Sequence, residues 1–309
     1  MDLALITAKK IIEMFFILLI GAGALKAGIA DSGTGSRMTS ILLKVISPCV
    51  IIMSYQMDFD RDRLIGLLIT AGCSAVSFLA AILIAKLMVP KNGRPDMAVE
   101  RMSIVYSNCG FIGVPLIQGL LGAEGVFYMT AYITVFNVFV WSHGIMLMSG
   151  KAESPAATVK NLIQPSTIAI GAGLVFFITG LRLPAVIGDP VSMIGEMNTP
   201  VAMLISGMNL AESNIVSCLK SPRTYLLSGA KLILVPLITL LFLMAVRADR
   251  VIGITILVAA ACPSGAMGTM FALQYQKNSQ YASKLLAITT TLSLITIPAI
   301  MLAASGIFH

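Results

Sequence analysis

Residues 106–116 read Tyr-Ser-Asn-Cys-Gly-Phe-Ile-Gly-Val-Pro-Leu, inside an apolar run from about 98 to 121. Proline removes an amide donor and clashes with the preceding turn, and glycine permits non-helical backbone. The stretch therefore predicts a helix interrupted over 108–115, with Asn108 at the start of the interruption. A second stretch of the same kind, Ala261-Cys-Pro-Ser-Gly-Ala-Met-Gly-Thr269, predicts an interruption over 262–268 at an offset of 153 or 154.

Two further pairs keep nearly the same spacing. Lys44-Val-Ile-Ser-Pro48 and Glu196-Met-Asn-Thr-Pro200 each place a charge four residues before a proline, at an offset of 152. Ile145-Met-Leu147 and Ile300-Met-Leu302 match at an offset of 155. Three matches at a near-constant offset argue for an internal duplication, with halves at 1–150 and 161–309. A polar loop at 151–160, holding Lys151, Glu153 and Lys160, joins them.

The surrounding composition says what solvent these halves face. The 309 residues are 57% hydrophobic and 11% charged, against about 25% charged in soluble domains. Apolar runs between charged or Gly/Pro punctuation fall near 8–30, 38–57, 64–88, 98–121, 124–149, 161–180, 190–212, 222–247, 250–275 and 281–307. One helix of about 20 apolar residues spans a bilayer. The expected fold is all-α and integral to the membrane, with ten transmembrane helices. Five helices per repeat is odd, so the second copy must be inverted in the membrane. Inverted repeats with interrupted helices in corresponding positions point to a secondary transporter with its site near the midplane.

Unpaired backbone at membrane depth is tolerated only where protein or a wet cavity satisfies it. Broken helices would present half-helix N-termini, whose positive dipole ends suit a carboxylate. Asn108, Ser264 and Thr269 can exchange hydrogen bonds with such a group. Asn137, in the fifth segment, serves either as a ligand or as interhelical glue. Lys231 lies eight residues past Arg223, about 12 Å along a helix; interfacial snorkelling is placed ahead of balancing substrate charge. Lys44 is read as snorkelling, and Glu13 and Glu196 as lying near the outer surface.

Other chemistries find little here. Segments three, five, nine and ten hold no mid-membrane Asp or Glu, which disfavours sodium/proton exchange. Phosphate loops, Ser/His/Asp sets and HExxH patterns are missing, so neither an enzyme, a cofactor nor a metal site is expected. Cys49, Cys73, Cys109, Cys218 and Cys262 form no CxxC pair and read as small apolar residues. His143 and His309 are the only histidines. The net charge of +7 is distributed between apolar runs; this suits anionic lipid headgroups of a bilayer and not nucleic acid. Lys9-Lys10 before an apolar run imitates a signal peptide, but Glu13 interrupts it, so it is kept as the first helix.

At its motifs the chain resembles the auxin efflux carrier family, which includes bacterial malate-type permeases and plant auxin carriers. Asn108 to Leu116 is similar to the family's Asn-x-x-x-x-Gly-x-Pro-Leu stretch. Cys262-Pro-Ser-Gly265 followed by Phe271-Ala-Leu-Gln-Tyr275 resembles its ninth-helix pattern, and Asn198 to Gly207 its seventh-helix pattern. The resemblance implies a scaffold of helices 1, 2, 6 and 7, often dimeric, and a moving transport domain of helices 3–5 and 8–10. It places substrate where helices 4 and 9 cross, with Asn108, Pro115 and Pro263 at family-matching positions. Gly110, Gly113 and Gly265 flank them as the residues that loosen the backbone. Gly265-Ala-Met-Gly268 replaces a stretch that holds a second proline in plant members, and the central loop is short. Both differences favour a small bacterial metabolite over auxin.

The expected activity is alternating-access transport, elevator-type, of a small mono- or dicarboxylate, malate-like as a first guess. Outward movement of a monoanion from an inside-negative compartment is favoured roughly fiftyfold at 100 mV. Uptake of a dianion would require cotransported Na+ or H+. The rivals are a bile-acid-type sodium symporter, a pore, and a membrane enzyme or receptor. The larger share of Lys and Arg, including Arg37, Lys86, Arg101, Lys220 and Lys284, falls on inward ends when the N-terminus is outside the cell membrane.

Overall fold

The computed structural model describes residues 3–91, 94–151, 154–212 and 221–308. Glu153, Cys218, Lys220 and His309 lie outside the described residues. All regular structure among the described residues is helical, apart from one isolated bridge between residues 107 and 264.

Helix α1 spans Leu3–Lys26. Helix α2 (Ser32–Ile41) runs through a π turn at Leu42–Ile46 into α3 (Ser47–Ser54), whose Pro48 follows directly on the π turn, where the regular ladder is already interrupted. Helix α4 (Arg61–Met88) is the longest unbroken apolar rod, capped at its start by Asp60. Helix α5 (Met97–Val105) stops short of the interruption, and a π turn at Cys109–Gly113 opens α6 (Val114–Phe139). A further π turn at Val140–Gly144 leads into α7 (Ile145–Ser149).

Within α6 the chain folds back on itself at Gly122, which adopts φ 64° and ψ −148°. A β-carbon on Gly125 would lie 2.7 Å from Ile117 Cγ2. Residues eight apart in a continuous helix are about 12 Å apart along the axis, so the two limbs form a hairpin. The expected fourth and fifth segments, 98–121 and 124–149, are thus separated where the sequence placed their boundary.

Helices α8 (Pro155–Leu162) and α9 (Pro165–Thr179) meet at a 74° bend. Helices α10 (Ala185–Glu196) and α11 (Asn198–Glu212) follow. Next come α12 (Pro222–Gly229), a π turn at Ala230–Leu234 and α13 (Val235–Ala245). The chain ends with α14 (Arg250–Ala261), α15 (Met267–Gln274) and α16 (Ser279–Ser305).

Among the described residues, five helices are long and apolar enough to cross a membrane, or six when the bent pair counts as one. Ten separate spans do not emerge on length and apolarity alone, for physical reasons. The 41-residue run Cys109–Ser149 counts once although it reverses at Gly122. Helices α5, α14 and α15 are halves cut by breaks, and α1 carries Lys9, Lys10 and Glu13. Leu79, Leu83 and Leu87 leave α4 on one exposed face at i, i+4 spacing, the pattern of a helix solvated by lipid. The chain is a multi-pass membrane protein.

Packing sorts the helices by neighbour. Helix α1 lies against α11, and α3 against α9 and α10. Helix α4 packs on α5, α6, α13 and α14. Ser47 Oγ donates to Asn198 Oδ1 at 3.4 Å, joining the segment before Pro48 to the segment before Pro200. Arg223 grips Glu100 with two hydrogen bonds, 2.9 Å from Nε to Oε1 and 2.6 Å from Nη2 to Oε2. Tyr281 OH adds a third to Oε1 at 3.3 Å. The Glu100 side chain is 5% exposed and that of Arg223 26%, so losing one partner strands a buried charge. Arg223→Ala is expected to cost about 3–5 kcal/mol; pairing it with Glu100→Gln should recover part of that in thermal unfolding.

Candidate functional site

The interruptions fall where local chemistry dictates, with one shift from the expected position. Pro263 disfavours helical backbone at the residue before it, and Cys262 is accordingly extended at φ −57°, ψ 147°. In the first interruption the helix stops at Val105 and restarts at Cys109, earlier than the expected 108–115. Pro115 does not break the helix. It follows directly on the π turn at Cys109–Gly113, where the regular ladder of backbone hydrogen bonds is already interrupted.

The two breaks pair with each other as a short antiparallel bridge between Ser107 and Ser264. Asn108 N donates to Pro263 O at 2.7 Å, and Gly265 N to Tyr106 O at 2.8 Å. These bonds answer the cost of unwound backbone in an apolar medium. A β-carbon on Gly265 would approach Ser107 O to 3.0 Å, so glycine is what lets the two backbones meet. Side chains complete the joint. Ser103 Oγ donates to Ser264 Oγ at 2.7 Å, and Ser264 Oγ to Ser103 O at 2.9 Å. Ser264 N donates to Thr289 Oγ1 at 3.1 Å.

In front of the bridge lies a cavity of about 280 Å³. The opening residues of both second halves, Cys109 and Gly110 on one side and Ala266 and Met267 on the other, form part of its wall. The opposite wall comes from helix residues 39–51 and from Gln164 and Ser166. Phe111, Ile133, Phe136 and Trp141 make it largely apolar. A wider vestibule of about 800 Å³, more polar than this cavity, shares Thr39, Ala266 and Met270 with it. Ser36, Glu212, Gln280 and Lys284 line its far part.

Of the residues singled out in the sequence, Asn108, Gly110, Asn137 and Gly265 line the cavity together. The side chains of Asn108 and Asn137 make no hydrogen bond among the described residues, although Asn108 is only 8% exposed. Thr269 faces the vestibule. Pro263 and Ser264 form the bridge behind the cavity, and the Ser264 hydroxyl is engaged there. Gly113 allows close packing, since a β-carbon would lie 2.8 Å from Met129 Cε and 3.3 Å from Cys262 Sγ.

Lys231 does not snorkel, contrary to the sequence expectation. It is fully buried, and Nζ donates to Ser107 Oγ at 2.6 Å and to Ala260 O at 3.3 Å. Its depth was legible, but its partner lies 124 residues away and carried no local signal. Ser103, Ser107, Thr289 and Gln164 were missed for the same reason. Cys49, Cys73, Cys109 and Cys262 are free thiols. No group of three or more His, Cys, Asp or Glu able to hold a metal occurs among the described residues.

Two apolar-sheathed broken helices that cross beside a cavity define the class: this is a membrane transport protein. The comparisons agree, for the profile of the family described as "Membrane transport protein" matches residues 6–301. The chain therefore belongs to that family, the auxin efflux carrier family that its motifs resemble. It is also 22% identical over 299 residues to an uncharacterized transporter of Methanothermobacter thermautotrophicus, covering 94% of this chain and 96% of the relative.

Proposed function

We propose that the protein is an alternating-access carrier of small organic anions, with the carboxylate held at the crossing by Asn108 and by the opening turns of the two second half-helices. The observation that carries this is the Ser107–Ser264 bridge, which aims both restarted backbones at one cavity beside an unpartnered Asn108. Half-helix N-termini stabilise an anion through their free amides and dipole. The apolar wall of Phe111, Phe136 and Trp141 supports a monocarboxylate with an apolar body over malate, whose second carboxylate would meet no cationic side chain among the lining residues.

In this proposal the chain is two inverted five-helix repeats. Helices 1, 2, 6 and 7 form a dimeric scaffold, and helices 3–5 and 8–10 move as an elevator. With the N-terminus outside, the vestibule at Ser36, Glu212 and Lys284 opens inward, so the site is reached from the cytoplasm of a bacterial inner membrane. Counterflow in proteoliposomes tests the carrier. Internal unlabelled phenylacetate should accelerate entry of labelled phenylacetate, saturably, and malate should compete poorly. Flux that rises linearly and shows no acceleration would mean a pore.

A further inference from the structure

The crossing has two electrically distinct sides. Helices α5 and α14 both end there, at Val105 and Ala261. A helix C-terminus carries roughly half a negative charge on its unpaired carbonyls, so two negative ends converge on the bridge. In broken-helix carriers, such C-terminal ends and unwound carbonyls hold the coupling cation, while the N-terminal ends face an anionic substrate group.

Lys231 occupies the C-terminal side. Its Nζ reaches Ser107 Oγ, two residues past the end of α5, and Ala260 O, in the last turn of α14. The side chain extends from the π turn at Ala230–Leu234 and is 0% exposed. It does not line the cavity or the vestibule itself but stands behind Ser107, which does line the cavity. Among the described residues no carboxylate pairs with it. A buried ammonium without a counter-anion is costly, and what faces it here is the pair of negative helix ends.

We propose that Lys231 is a tethered cation filling the position that a coupling ion takes in carriers of this architecture. The protein then binds and moves its substrate without sodium. This rests on the carrier proposal above for its functional meaning, but not for its test. A monoanion bound in front of the bridge and the ammonium behind it make the loaded site neutral, and the empty site carries one positive charge. The return of the empty carrier, and not the loaded step, is therefore the voltage-sensitive half of the cycle.

The test reads cation occupancy directly in purified protein. Wild type should show no saturable binding of radioactive sodium and the same melting temperature in sodium and choline chloride. Lys231→Ala should melt several degrees lower in choline and regain most of that loss, saturably, in sodium or n-propylammonium chloride. Lys231→Met, of similar length but uncharged, should stay destabilised in every salt, and Lys231→Arg should keep the sodium-independence of wild type. Saturable sodium binding by wild type, a K231M protein as stable as wild type, or a K231A protein indifferent to the cation would each overturn the proposal. The wild-type measurement stands even where a variant does not fold. None of these readouts needs a substrate, so failure of carboxylate counterflow alone would count against the carrier proposal and leave this one intact.

Discussion

Asn108→Ala is expected to lower carboxylate counterflow by about a hundredfold while the variant remains folded in the membrane. The side chain stands at the edge of the bridge, 8% exposed and without a hydrogen-bond partner among the described residues. It borders both the main cavity and a water-sized pocket of about 20 Å³ shared with Ser206, Asn209 and Thr290. A hydrogen bond to a charged group contributes about 1.5–3 kcal/mol, which is about ten- to a hundredfold in binding. The upper end applies because the Asn108 side chain is itself buried. What Asn108 gives the fold is its backbone, through N–H to Pro263 O, and alanine keeps that bond. An unchanged melting temperature with lost counterflow is the expected pair of results. Loss of both together would reassign Asn108 to structure.

Gly207→Ala is expected to destabilise the packing of α1 against α11 strongly. A β-carbon at Gly207 would overlap the carbonyl oxygen of Leu18 and lie 2.8 Å from Ala22 N. At Gly21, on the facing helix, a β-carbon would overlap the carbonyl oxygen of Leu204. Helices α1 and α11 therefore touch backbone to backbone at two places, the close approach that small residues permit in membranes. A rigid backbone atom cannot rotate aside as a side chain can, so the helices must separate along their shared length. The expected cost is about 3 kcal/mol, the upper part of the range for overpacking, read as a loss of thermal stability and of folded yield. Gly110→Ala is the control: nothing lies within 4 Å of its added β-carbon, and it should melt like wild type.

Much of this was legible because the decisive signals are local. Pro263 forces its own break, and the apolar runs from 61 to 88, 222 to 245 and 279 to 305 lie within three residues of their expected bounds. The glycines and prolines at 108–115 and 262–268 signalled both breaks without any knowledge of contacts. The same local logic misplaced the first break, because Pro115 was weighed as a breaker although the π turn at Cys109–Gly113 accommodates it within a continuing helix. Helix 6 was read as one segment near 161–180, but Pro165 starts a new helix after a bend. The cavity wall was only half visible. Asn108, Gly110, Asn137 and Gly265 announce themselves as polar or flexible residues in apolar runs, while Ser47, Gln164 and Ser166 reach the cavity through packing between the halves. Lys231 was the plainest case. A lysine at membrane depth reads the same whether it snorkels to lipid or turns inward, and only the position of Ser107 decides it.

The central claim is that this crossing binds and translocates an organic anion. Charge movement on a solid-supported membrane bearing proteoliposomes tests it most directly, with a concentration jump of phenylacetate in sodium-free buffer. The account predicts a transient current that saturates with concentration, is unchanged by added sodium, and is absent in Asn108→Ala. A current that grows without saturation, or one that Asn108→Ala carries at wild-type amplitude and affinity, would contradict it.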